Sequence, residues 1–234
     1  MRIMSDYGYI RRNFDALSQE LGELGERAGH AVTLVAVTKS GTDEELLALA
    51  ECGIGDIGEN RPQELVRRAE LLRSHGYAPR LHEIGNLQRN KVKSIITVAD
   101  LTHSVGKLSL AEAISREAAA AGITARILIE INSAKEENKG GVYPELAEEF
   151  FLRVKELPSL AVCGLMTMGP PTEDGELLRP YFRQTKKIFD TINEKYGFHS
   201  GGILSMGMSD SYAVAIEEGS TLVRVGRRFF WKEG

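Results

Sequence analysis

A chain of 234 residues, 42% hydrophobic and 26% charged, has the make-up of an ordinary soluble protein and is long enough to bury a substantial core. Its net charge of −4 excludes a general attraction for nucleic acid or an anionic membrane surface, and no run approaches the ~20 apolar residues of a membrane span. Two distant cysteines, Cys52 and Cys163, form neither a disulfide framework nor a metal spacing, so they read as buried free thiols of a cytoplasmic protein.

The chain begins with an amphipathic helix over about 6–28, whose Ile10, Phe14, Leu17, Leu21 and Leu24 recur at three- and four-residue spacing. This opening segment lacks the apolar core of a signal peptide. Strands are then predicted over 32–38, 55–58, 80–85, 100–104, 125–131, 161–167, 202–206 and 222–226. Helical patterns fill the gaps at about 43–52, 61–75, 88–97, 107–121, 144–156, 176–196 and 209–218. Strands separated by helices predict an α/β fold, a (β/α)8 barrel of one domain spanning 1–234 with an extra N-terminal helix. The competing doubly wound sheet lacks a Gly-x-Gly-x-x-Gly turn after its first strand.

A barrel of this kind places its chemistry where the strands end. The first strand, apolar through Val37, delivers Lys39 at its tip, and the second runs into Gly58-Glu59-Asn60. The third carries His82 toward Gly85, the fourth ends at His103-Ser104, and the fifth enters Asn132 and a loop containing Lys139. The last three end in "GLMTMGPP", "LSMGMSDS" and "VRVGRR". Ser209 is a candidate N-cap for the helix that follows it, and Gly226 sits where a backbone can approach a ligand; together they suggest a phosphate site. Arg224 points into the mouth if Val223 and Val225 face the helices, and it needs either a salt bridge, with Glu59 or Glu130, or a heteroaromatic acceptor.

In an apolar mouth, a neutral Lys39 amine would be suited to Schiff-base chemistry with a carbonyl. A ligand bearing an aldehyde, a phosphate and a ring nitrogen would use Lys39, the last two loops and Arg224 together. Pyridoxal 5′-phosphate has all three, whereas a sugar phosphate in a class I aldolase offers nothing to Arg224.

These residues lie in motifs that resemble those of the pyridoxal phosphate homeostasis proteins, relatives of the alanine racemase barrel. The motifs are "VAVTK" (35–39), "GENRPQE" (58–64), "HEIGNLQRNK" (82–91), "HSV" (103–105), "EINSAKEENKGGV" (130–142), "GLMTM" (164–168) and "LSMGMSDSYAVAIEEGSTLVRVG" (204–226). The resemblance implies that Lys39 holds the cofactor as a Schiff base, with Asn60 close by. It also implies that Ser209, Gly226 and Arg227 cradle the phosphate and that Arg224 faces the pyridine nitrogen. His82, Met206 and Met208 are implied as pocket lining.

Four departures from the family pattern stand out: "SGTDEE" after the lysine, Gly106 in place of a frequent aspartate, "SYAVA" after Asp210 in place of acidic residues, and the bulky ending "FFWKEG". The first is expected to alter the loop over Lys39 and the second to loosen the loop after the fourth strand. The reading is a monomeric carrier of pyridoxal phosphate in vitamin B6 homeostasis, with little turnover and apo-enzymes as recipients. An amino-acid racemase or decarboxylase of the same fold is the alternative.

Overall fold

The computed structural model describes residues 7–172 and 174–232. Its strands are β1 (Thr33–Val37), β2 (Asp56–Glu59), β3 (Arg80–Glu83), β4 (Leu101–Val105), β5 (Ala125–Glu130), β6 (Leu160–Met166), β7 (Ile203–Ser205) and β8 (Leu222–Val225). They pair in parallel in chain order and close when β8 meets β1, with Val35 opposite Arg224. The expected barrel is therefore the observed one.

The helices are α1 (Gly8–Ala28), α2 (Asp43–Glu51), α3 (Pro62–Ser74), α4 (Val92–Ile95), α5 (Leu108–Ala121), α6 (Ala147–Lys155), α7 (Arg179–Tyr196), α8 (Tyr212–Glu217) and α9 (Arg227–Phe230). Local chemistry sets several of their ends. Thr42 and Glu45 form a reciprocal capping box at the start of α2, Pro62 occupies the first turn of α3, and left-handed glycines Gly29 and Gly122 stop α1 and α5. Several expected helices are shorter than their patterns, those over 144–156 and 176–196 opening with a 3-10 turn. The 88–97 segment is a 3-10 turn (Arg89–Lys91) followed by α4, and the 209–218 segment is helical only from Tyr212.

Alternation along each strand sorts the side chains into two layers. The outer layer, packed under the helices, contains Ala36, Ile57, Leu81, Ile127, Leu165, Leu204, Val223 and Val225. The barrel interior holds a smaller apolar cluster of Leu101, Leu128, Ala161, Cys163 and Met166. α1 lies across the outside and buries Ile10, Leu17, Leu21 and Leu24. Cys52 and Cys163 are free and buried, as the sequence suggested. Among the described residues, no helix is long and apolar enough to cross a membrane.

Candidate functional site

At the C-terminal ends of the strands lies an open cavity of about 660 Å³. Lys39, Asn60, Met208, Ser209, Arg224, Gly226 and Arg227 all line it, so seven of the nine residues singled out from the sequence converge on one space. Four basic side chains (Lys39, Lys139, Arg224 and Arg227) face it against two acidic ones, Glu130 and Asp210, in a chain whose net charge is −4. The mouth is thus locally suited to an anion.

His82 and Met206 are placed elsewhere. His82 points inward but sits one residue pair below the mouth, buried between Asp56 and His103; the β3 strand reaches the cavity two residues later, through Ile84. Met206 follows the inward-facing Ser205, and the two-residue period turns it outward into the core beneath the helices.

Lys39 lines this cavity, is exposed and not desolvated as an apolar mouth led one to expect, and, among the described residues, makes no hydrogen bond or ion pair. Its turn is fixed from behind. Buried Arg68 of α3 donates Nη1 to Thr38 O (2.6 Å) and Nη2 to Gly41 O (2.9 Å), and pairs with Glu59 Oε1 at 2.9 Å. The Thr38 hydroxyl donates to the same Glu59 oxygen at 2.5 Å. Burial raises the Glu59 carboxyl above its ordinary range despite these partners. Glu59 thus faces the helices and is not available to Arg224.

Arg224 is buried, donating Nη1 to Ser205 Oγ (2.5 Å) and Nη2 to Thr167 O (3.2 Å). Among the described residues no carboxylate comes within ion-pair distance of it, so neither expected salt bridge forms. Burial lowers its pKa to about 10, a shift that the more distant charge of Glu130 opposes. A buried cation lining a cavity without a counter-charge is costly, and it leaves the cavity favourable to an acceptor.

The loops after β7 and β8 meet where Gly226 N donates to Ser209 Oγ at 3.4 Å. Ser209 is not the helix cap expected. Ser211 precedes α8, and its hydroxyl accepts from Met208 N at 3.1 Å. Gly226 is confined by β1, since a Cβ there would lie 2.8 Å from Val37 O. Arg227 pairs its side chain with Asp210, and both residues line the cavity.

The sequence suggests Glu130 only as a salt-bridge partner. It is half-buried in the cavity wall, and burial raises its carboxyl above the ordinary range, against the pull of Arg224. Three of the departures also have local explanations. A Cβ at Gly106 would fall 2.5 Å from Gly141 Cα, so the glycine lets the loop after β5 pack closely against the loop after β4. Gly41, in the unusual segment after Lys39, packs under Phe230 from the unusual ending; a Cβ there would lie 2.6 Å from that ring.

The family model for the alanine racemase N-terminal domain matches residues 13–230. A relative from Aquifex aeolicus, named pyridoxal phosphate homeostasis protein, is 40% identical over 208 residues, covering 88% of this chain and 90% of its own. PipY of Synechococcus elongatus, solved with PLP bound, is similar with a TM-score of 0.82 at 25% identity, over 95% of this chain and 100% of that one. An alanine racemase of Clostridium difficile shares the fold, with a TM-score of 0.76 at 18% identity over 97% of this chain and 56% of that one.

Proposed function

Because the chain belongs to the pyridoxal phosphate homeostasis family, within the alanine racemase N-terminal domains, we propose that its barrel mouth binds pyridoxal 5′-phosphate and that it takes part in keeping that cofactor in balance. The observation that carries this reading is the convergence in one cavity of an unpaired Lys39, a buried Arg224 without a carboxylate partner, and the Ser209–Gly226 contact. These residues fit the cofactor's three recognisable groups. When bound, the cofactor supplies an aldehyde that reacts with amines and a ring that withdraws electrons.

Lys39 would be the amine that holds the aldehyde, while Ser209, Gly226 and the Arg227 backbone would receive the phosphate. Asn60 and Met208, which line the cavity, would flank the ring. Arg224 donates toward the ring nitrogen and cannot accept its proton, which leaves the ring a weak electron sink. The described residues lining the cavity include no tyrosine or histidine to oppose Lys39 as an acid. Both features support little turnover, and the protein is proposed as a monomeric cytoplasmic carrier that releases the cofactor to apo-enzymes. The test is the visible spectrum of the purified protein before and after borohydride, with mass spectrometry of the reduced adduct. An adduct on Lys39 is expected; one on Lys91 or Lys139 alone overturns the site.

Glu130 favours a second reading, an amino-acid racemase or decarboxylase in which its raised carboxyl exchanges a proton with substrate. Assays of racemisation and decarboxylation separate the two. Sustained turnover that disappears in both Lys39→Ala and Glu130→Gln would establish the enzyme.

A further inference from the structure

Below the mouth, the barrel interior carries polar side chains that cofactor contact leaves unexplained. They form one unbroken hydrogen-bonded column. Arg224 Nη1 lies 2.5 Å from Ser205 Oγ, Ser205 Oγ 3.1 Å from His103 Nδ1, and His103 Nε2 2.9 Å from His82 Nδ1. His82 Nε2 then lies 2.8 Å from Asp56 Oδ1, and Arg80 closes the column with Nε and Nη2 each 2.7 Å from the two Asp56 oxygens. Asp56, His82, His103, Ser205 and Arg224 are all buried. Arg80 emerges at the opposite end of the barrel, in a polar cavity of about 200 Å³ shared with Asp100 and Arg126.

The two ends of this column fix the direction of its outermost bonds, and one arrangement of the bonds between them satisfies every group. A guanidinium only donates, so Ser205 Oγ accepts from Arg224 and is free to turn its own hydrogen toward His103 Nδ1. Burial first, and then the neighbouring His82 and Arg224, push the His103 pKa well below its usual range, so that ring is neutral. With Nδ1 accepting, its hydrogen is on Nε2 and is donated to His82 Nδ1. His82 in turn donates from Nε2 to Asp56. Although burial opposes it, the bonds from His82 and Arg80 hold the Asp56 carboxyl below its ordinary range, so the column ends on a carboxylate. With Ser205 donating, both rings carry a hydrogen on Nε2. A proton added at His82 Nδ1 would reverse the bond between the two rings, reverse the His103 tautomer, and leave the Ser205 hydrogen without its acceptor.

We propose that Asp56, His82, His103 and Ser205 are positioning residues for Arg224, holding its guanidinium toward the ring-nitrogen end of the cavity from as far away as the barrel floor. This rests on the cavity being a pyridoxal phosphate site. A column that only filled the barrel would affect every part of the cofactor alike. One that acts through Arg224 is felt by the ring nitrogen alone.

The test compares pyridoxal 5′-phosphate with its 1-deaza analogue, in which a C–H replaces the ring nitrogen, on the parent chain and on Asp56→Asn. The substitution keeps the shape and removes the charge at the column's far end. Binding of pyridoxal phosphate is expected to weaken by about three- to tenfold, the size of one lost hydrogen bond, and binding of the analogue by less than about twofold. Equal losses for both ligands, or no loss for either, overturn the positioning role. A parent chain that binds neither ligand overturns the cavity reading and this inference with it. If Asp56→Asn does not fold, Ser205→Ala removes the single hydroxyl next to Arg224 and gives the same comparison. Imidazole ¹⁵N spectra of the unliganded parent are an independent check: both rings are expected protonated at Nε2, and a His103 protonated at Nδ1 overturns the column's direction.

Discussion

Arg80 and Arg224 stand at opposite ends of one column and have opposite fates. Arg80 meets Asp56 through two 2.7 Å bonds, and that partnership raises its pKa. Arg224 meets only a hydroxyl and a carbonyl, and burial lowers its pKa to about 10. The same side chain is a structural tie where its charge is balanced and a reception point where it is not. The proposed site is thus marked by unbalanced charge facing a cavity, more than by unusual residue types in a core. Arg68 with Glu59 repeats the balanced case on the helix side, and Lys39 repeats the unbalanced one.

That comparison can be broken most directly at Lys39. Lys39→Ala is expected to abolish the borohydride-trapped adduct and weaken cofactor affinity by about a thousandfold, roughly 4 kcal/mol, while leaving thermal stability near the parent's. An unchanged affinity would mean that Lys39 is a bystander. At a balanced site the loss should be in stability. Arg68→Ala strands buried Glu59 and is expected to cost about 3 kcal/mol in denaturant titration, the low end for a broken buried pair because Glu59 can take a proton. A cost below about 1 kcal/mol would place the Arg68 clamp with ordinary surface ties.

Glu83 sharpens the distinction through pH. It is buried on the helix side beside Glu59, accepts from Gly85 N at 3.1 Å, and leaves Oε2 without a partner. Burial raises its pKa from 4.5 to about 7. The folded chain therefore binds this proton more tightly than the unfolded one, and its contribution to stability is complete below about pH 4.5 and lost as pH rises through 7. The loss amounts to roughly 3 kcal/mol. Glu83→Gln should match the parent at pH 4, exceed it by up to roughly that amount at pH 8, and flatten the slope between; parallel stability curves for the two would refute this. The smallest effect belongs to the rim. Asp210→Ala removes an exposed ion pair with Arg227 and is expected to change stability by less than about 1 kcal/mol, which a double-mutant cycle with Arg227→Ala can resolve.

The alternation of apolar runs with amphipathic segments was enough to specify eight strands, their order and the mouth as the place to look. It also brought Lys39, Asn60, Ser209, Arg224 and Gly226 to one cavity, because each lies at or just beyond a strand end and every parallel strand ends on the same face. Strand limits were less legible than strand existence, so depth and facing failed first. His82 lies two residues short of the mouth, and Met206 lies one residue out of phase with it. The partnerships were not legible at all. Arg68 reaches Thr38 and Gly41 across 30 and 27 residues of chain, and His103 meets Ser205 across 102. Periodicity reports which way a side chain faces along its own element. Which charges find partners, and so which remain to meet a ligand, depends on the distances that barrel closure imposes between elements far apart in sequence.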